Sequence, residues 1–411
     1  MAGELRTLAE MRASGLAADG VQPAFPSTTA NSHAAIWTGV YGNGSGIAGN
    51  ANPVLPRAEH SFAEWRVGFR SESLLAEPLW VTATRQGVSV VGHQVTQVYP
   101  FTPLSAGIDL PKPPVVINSY QTRKVADYRV LRAKDVKPLD AIAWDPPLAA
   151  SHLPAKHFTW SAGPVRYVGT LFAAHSESGY DTIAIAERAN GPRVLVTLAS
   201  TETRWPRSRT LAVHFSEPLP IENATATAEV GPLAAVFRLW ETTRDGDFLL
   251  LSMPLQELGI AHGRESQRET AHEMVAALGP LAGNGPSGAY MANALGKPLY
   301  RGGDGTAELR FLETMEFLTR QYNRYSQWLW KRYAPRLMVD YFPYPDEMDH
   351  GWLGLSRQQG DAAIAARAQR FLEFRRRGYQ IIDARMAALW RMAKEGRASD
   401  SATVFGNSTE S

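Results

Sequence analysis

Between Phe25 and Asn50 the sequence runs FPSTTANSHAAIWTGVYGNGSGIAGN, and this stretch limits the possible folds more than any other. Pro26 stops whatever precedes it, and Ser27, Thr28 and Thr29 are all residues favoured just before a helix. Ala30 to Thr38 then carries Ala34, Ala35, Ile36 and Trp37, enough apolar surface to pin a short helix on a core. Gly39 ends it where a left-handed residue costs least. A hydroxyl at such a helix start faces unpaired N–H groups and the positive end of the dipole, a place that suits a phosphoryl oxygen. Taken alone, a Thr-Thr pair points first to an ordinary N-capped helix, and the anion site stands beside that reading as its alternative.

The stretch resembles the nucleophile segment of the nucleotide pyrophosphatase/phosphodiesterase (type I phosphodiesterase) branch of the alkaline phosphatase superfamily. The residues that carry the resemblance are Pro26, Ser27, Thr29, Ser32, His33, Thr38, Gly39, Gly46, Ile47 and Asn50. Two departures stand out: Ala30 and Asn31 replace a common Phe-Pro, and Ser45 replaces a loop His. The nucleophile position falls on Thr29. A second segment, Pro78, Leu79, Trp80, Thr82, Ala83, Gln86 and Gly87, matches the helix and turn that precede a strand in the same family.

With 411 residues the chain is long enough for one large α/β core and an inserted region. Its 44% hydrophobic and 20% charged residues are those of a globular protein, and a net charge of +2 gives no nucleic-acid footprint. No run is long enough to span a bilayer. The absence of cysteine excludes disulfides and thiolate chemistry, so any metal must be held by His, Asp or Glu. MAGELRTLAEMRASG patterns as an amphipathic helix, not a signal peptide, although enzymes of this type are often exported.

Along the chain, Leu74 to Gln86 predicts a helix and Val88 to Val91 a buried strand. From residue 103 to 302 short apolar alternations recur, at Ala126–Leu131, Val165–Ala173, Thr182–Ala186, Arg193–Leu198, Thr210–Phe215, Ala234–Leu239 and Phe248–Met253. Pro, Gly, Asn and Asp punctuate them, which predicts antiparallel strands in an inserted, β-rich accessory region that covers the site. Gly279 to Gly305 reads as a linker or lid. Residues 1–102 and 303–411 are then expected to form the core: a mostly parallel sheet flanked by helices, alkaline-phosphatase-like. Thr306 to Tyr333 predicts one long helix whose aromatic stripe is core, Leu337 to Tyr341 a strand, and Asp361–Arg376 and Tyr379–Glu395 two more helices. Ala402 to Phe405 starts a further strand.

Asp346 and His350 are expected in the loop after the Leu337 strand, where ligands gather in open parallel sheets. By spacing alone an Asp-x-x-x-His is weak, and a solvated, charged loop is the favoured explanation of it. In the resembling family a Tyr-x-x-x-x-Asp-x-x-x-His loop, here Tyr341, Asp346 and His350, supplies two ligands of one metal. The resemblance implies phosphoryl transfer at two divalent ions, zinc by preference. Thr29 would be nucleophile and ligand, and Ser32 a stabiliser of the oxyanion beside the Ala30 N–H. The substrate would be a small phosphate ester or nucleotide-like molecule, cleaved as a phosphodiester, pyrophosphate or phosphomonoester. Family members also carry an N-terminal strand ending in Asp and a C-terminal Ser-Asp-His-Gly and His, which supply further ligands and have no counterpart here. Both metals would therefore lack donors, and the sheet would have a gap or an exposed edge. The remaining histidines form no ligand pattern; His33 is best placed, yet is not a ligand in the family. The competing expectation is a truncated or non-catalytic homologue that binds phosphate-bearing ligands or a partner.

Overall fold

The architecture is taken from a computed structural model, which describes residues 4–98, 114–118, 128–199, 215–221, 233–256, 259–260, 273–274, 276–279, 281–282 and 287–395. Helix α1 (Arg6–Ser14) leads to α2 (Thr29–Thr38) and the single turn α3 (Gly42–Ser45). Strands β1 (Ala51–Pro53) and β2 (Trp65–Val67) pair antiparallel, and α4 (Leu79–Arg85) follows. Helix α4 begins only at Leu79, later than the apolar run from Leu74 predicts, because Pro78 holds extended geometry before it (φ −79°, ψ 152°).

The central sheet brings together β3 (Val90–His93), β4 (Val115–Asn118), β14 (Gly259–Ile260) and β16 (Leu337–Asp340), in the order β14-β4-β3-β16. β3 runs parallel to both β4 and β16, with His93 directly opposite Asp340. Buried along its whole length, β3 reads as an uninterrupted apolar run until its last residue. The two-residue alternation of its side chains explains what lies on each face. Val90, Val116 and the half-buried Leu337 and Val339 pack with Trp37 of α2 and Trp80 and Val81 of α4. Val91, Ile117 and Met338 turn the other way, against α6 (Thr306–Tyr333), α7 (Tyr344–Ser356) and α8 (Ala362–Glu395). The result is an α/β/α stack, the alkaline-phosphatase-like class expected.

Two antiparallel sheets are built from the middle of the chain. One holds β5 (Arg129–Leu131), β11 (Leu219–Ile221), β12 (Leu233–Thr242), β13 (Phe248–Gln256) and β15 (Leu281–Ala282). The other holds β6 (Lys137–Leu139), β7 (Lys156–Ala162), β8 (Val165–Phe172), β9 (Thr182–Ala186) and β10 (Arg193–Thr197). They share a core of Phe158, Trp160, Tyr167, Phe237, Leu239 and Phe248. The first sheet's opposite face joins α6, where Arg238 Nε and Trp240 Nε1 both donate to the Glu313 carboxylate, at 2.6 and 2.9 Å. Val115–Asn118, inside the span expected as the insert, belongs to the central sheet. Of the other expected strands, Thr210–Phe215 and Ala402–Phe405 lie mostly or wholly outside the described residues.

Two helical expectations are corrected. The residues from Ala362 to Glu395 form one helix, since neither Gly378 nor its neighbours break it and Gly378 lets Met348 approach closely. The stretch expected as a linker or lid contains α5 (Ser287–Met291), whose Tyr290 is buried in the main core.

Candidate active site

Helix α2 ends at the left-handed Gly39, as its sequence predicts, and begins one residue earlier than expected. Thr28 is its extended N-cap, with no side-chain cap, and Thr29 is the first helical residue. Thr29 and Ser32 thus lie three apart on one face at the positive end of the helix. The Ala30 N–H, expected beside an oxyanion, is already engaged: it donates to Asn50 Oδ1 at 2.9 Å. That bond also fixes the Asn50 amide, whose oxygen must face the Ala30 N–H. The glycine-rich loop therefore does not merely close the segment; it reaches back to the mouth of α2.

Beneath that mouth lies the loop that leaves β3. His93, Gln94, Thr96 and Gln97 are all fully buried there. Gln94 and Gln97 are left-handed, with φ 61° and 55°, a conformation that costs about 1–2 kcal/mol for a residue with a Cβ. Gln97 Nε2 donates to both the Ala30 and Gly68 carbonyls, at 3.0 and 2.8 Å. With both amide hydrogens committed, Gln97 Oε1 can only accept, and it takes the Thr96 hydroxyl proton at 2.6 Å. Thr96 Oγ1 is then an acceptor for Trp37 Nε1 at 3.2 Å and for His33 Nδ1 at 3.0 Å. The chain of donors leaves a single solution: His33 carries its proton on Nδ1, and Nε2 keeps its lone pair.

Burial lowers the His33 pKa to about 4. The unfolded chain protonates this imidazole near its ordinary pKa of 6.5, while the folded chain keeps it neutral. Unfolding then takes up a proton between those values, so stability falls as pH falls through that window, by about 3 kcal/mol in all. Urea titrations of the wild type and His33→Gln at pH 7 and pH 4 measure it. Equal losses in both proteins would show that the acid sensitivity lies elsewhere.

On the other face of the central sheet, His93 and Asp340 meet Ser326 of α6 and Arg385 of α8. Ser326 Oγ lies 2.6 Å from Asp340 Oδ2 and 3.1 Å from His93 Nδ1, and Arg385 pairs with Asp340 Oδ1. Burial would raise the Asp340 pKa, but the Arg385 guanidinium and His93 overcome it and hold the carboxyl well below the usual range. Tyr341, the next residue, points back through the alternation and packs edge-on against His33, with ring centroids 4.4 Å apart. Strand β16 is thereby attached to both helical layers.

Asp346 and His350 are not on a loop. Both lie on α7, which starts at Tyr344 because Pro343 and Pro345 favour a first helical turn. One helical turn brings His350 Nε2 to 3.4 Å from Asp346 Oδ1, with Asp346 mostly buried and His350 exposed. Glu347 and Asp349 lie on other faces of α7, and Asp349 is taken by Arg375 and Tyr379 of α8. Asp346 follows Tyr341 by five residues, which keeps its Cα within about 18 Å of the Tyr341 Cα. No hydrogen bond or ion pair among the described residues joins Thr29 or Ser32 to Asp346 or His350. Nor does any group of three or more His, Asp or Glu there gather around one point. Asp346 and His350 are two donors where a catalytic zinc takes three from protein, so the described residues do not complete a metal centre. Sequence reasoning missed Thr96 and Gln97; the signal available was a cluster of polar residues directly after an apolar strand.

Helices on both faces of a parallel sheet, and a hydroxyl-bearing helix start docked on the loop after β3, define an α/β protein of alkaline-phosphatase type. Residues 1–142 match the family described as type I phosphodiesterase / nucleotide pyrophosphatase. The members of that family are hydrolases of phosphodiester and pyrophosphate bonds and are generally metal-dependent. No curated protein and no solved structure matches the chain. Among the described residues no helix is long and apolar enough to cross a membrane.

Proposed function

We propose that the chain hydrolyses a phosphodiester or pyrophosphate bond in a small phosphate ester or nucleotide-like substrate, with Thr29 as the nucleophile. The observation that carries this reading is the half-exposed Thr29 side chain on the first turn of α2, beside a helix mouth clamped by Asn50 and Gln97. Attack of Thr29 Oγ on phosphorus in line with the ester oxygen forms the Thr29–phosphorus bond as the ester oxygen leaves. Water then cleaves that bond and restores the hydroxyl. Ser32, one turn on, donates to a non-bridging oxygen, and the helix dipole favours the added negative charge.

Asp346 and His350, together with Thr29, are the proposed contribution of these residues to a two-ion zinc site. Their pairing on one turn of α7 supports that role. The accessory region within residues 103–302, apart from strands β4 and β14 of the central sheet, is proposed to cover the site and select the ester. A non-catalytic phosphate binder is the second reading, favoured by the incomplete donor set.

Zinc titration separates the two. Wild type is expected to bind zinc at least tenfold more tightly than Asp346→Asn and His350→Gln, and to turn over bis(4-nitrophenyl) phosphate with zinc present. Equal zinc affinity in all three proteins would remove the ligand assignment, whereas binding of phosphate without turnover would favour the second reading.

A further inference from the structure

A closed circuit of hydrogen bonds surrounds the residue that follows Thr29. Gln97 Nε2 donates to the Ala30 and Gly68 carbonyls. The Gly68 N–H donates to the Asn50 carbonyl at 2.9 Å, and the Ala30 N–H returns to Asn50 Oδ1. Gly68 makes the circuit possible, since a Cβ there would lie 2.0 Å from the Gly49 carbonyl oxygen and 3.1 Å from the Ala30 Cβ. Gln97 is anchored independently, through its own N–H to the Phe69 carbonyl at 2.8 Å and through Oε1 to Thr96.

We propose that Gln97, oriented by Thr96, is a positioning residue: it sets the first turn of α2 and the Asn50 side chain, and so the direction of Thr29 Oγ. The inference rests on the proposed role of Thr29. A left-handed backbone is most cheaply filled by glycine. A glutamine occupies it here, and every polar atom of its side chain is spent on the helix mouth or on the residue that orients it. Nothing else in the circuit ties the Ala30 and Gly68 carbonyls together. The tie between Thr96 and His33 gives the arrangement a spectroscopic signature, because it requires the Nδ1–H tautomer.

The test uses the full chain with Gln97→Met, which keeps the length and deletes both donors, and Thr96→Val with Thr96→Ser as the conservative control. In wild type and Thr96→Ser, imidazole 15N shifts should show His33 protonated at Nδ1, and in Thr96→Val this preference should be lost. The Ala30 amide should exchange with solvent at least tenfold faster in Gln97→Met, with amides of β8 unchanged. Turnover of bis(4-nitrophenyl) phosphate should fall at least tenfold in kcat with KM within threefold, and Thr96→Ser should stay within threefold of wild type. An Nε2–H tautomer in wild type, or unaltered Ala30 exchange and kcat in Gln97→Met, overturns the proposal. If Gln97→Met does not fold, the tautomer of wild type and the kcat of Thr96→Val decide. If wild type has no turnover, the nucleophile reading fails, and exchange at Ala30 still tests whether Gln97 sets the helix mouth.

Discussion

Thr29→Ala is expected to abolish hydrolysis of a chromogenic phosphodiester, lowering kcat by about three to six orders of magnitude while leaving the fold intact. The size follows from the role: without the hydroxyl no covalent intermediate forms, and the rate that remains comes from binding and polarisation alone. The fold should tolerate the change because Thr29 is only half-buried and Thr28, not Thr29, is the N-cap. Thr29→Ser, which keeps the nucleophile, should recover much of the loss. Rapid quenching with a 32P-labelled ester should place label on Thr29 in wild type and on no residue in Thr29→Ala. Activity that survives in Thr29→Ala would exclude the nucleophile.

Arg385→Met carries the largest expected effect on stability, about 3–5 kcal/mol. Arg385 is 1% exposed, sits over the Phe342 ring at 4.7 Å and the Tyr322 ring at 5.4 Å, and pairs with Asp340. Met fills a similar volume, so the loss reports the Asp340 carboxylate left without its cation in a mostly buried site, not a cavity. Adding Asp340→Asn to Arg385→Met should return part of the loss, because the uncompensated charge disappears. Chemical denaturation of the two variants measures both quantities. A loss below about 1 kcal/mol in Arg385→Met would mean that water reaches Asp340, against its burial between β16, α6 and α8.

The legible parts of this chain are those in which local pattern and tertiary environment agree. Helix α6 spans Thr306–Tyr333, as its aromatic stripe predicts, and β9 covers the predicted Thr182–Ala186. Both have one face against a core and punctuating residues at the ends. The Asp346–His350 segment was misread because Pro343 and Pro345 look like loop residues, although proline also suits the first turn of a helix. At the candidate site, Thr29 and Ser32 were visible because one short segment holds both. Gln97 was not, since its meaning comes from the carbonyls of Ala30 and Gly68, far off in sequence. A left-handed glutamine has no local signature, and only the folded neighbourhood shows why the strain is tolerated.

The hydrogen-bonded circuit around Ala30 has a consequence for the order of assembly. Its members, Ala30, Asn50, Gly68 and Gln97, all lie within residues 30–97, whereas the hydrogen-bond partners of His93 on the opposite face include Ser326 and Asp340. Short loops close at little entropic cost, so the circuit itself draws on no partner beyond Gln97. The sheet on which it stands gains β16 more than two hundred residues later. The proposed nucleophile and the proposed ligand pair lie more than three hundred residues apart in sequence. The hydrogen bonds that fix the mouth of α2 thus precede the proposed ligands by more than two hundred residues, and the two segments meet where Tyr341 packs on His33.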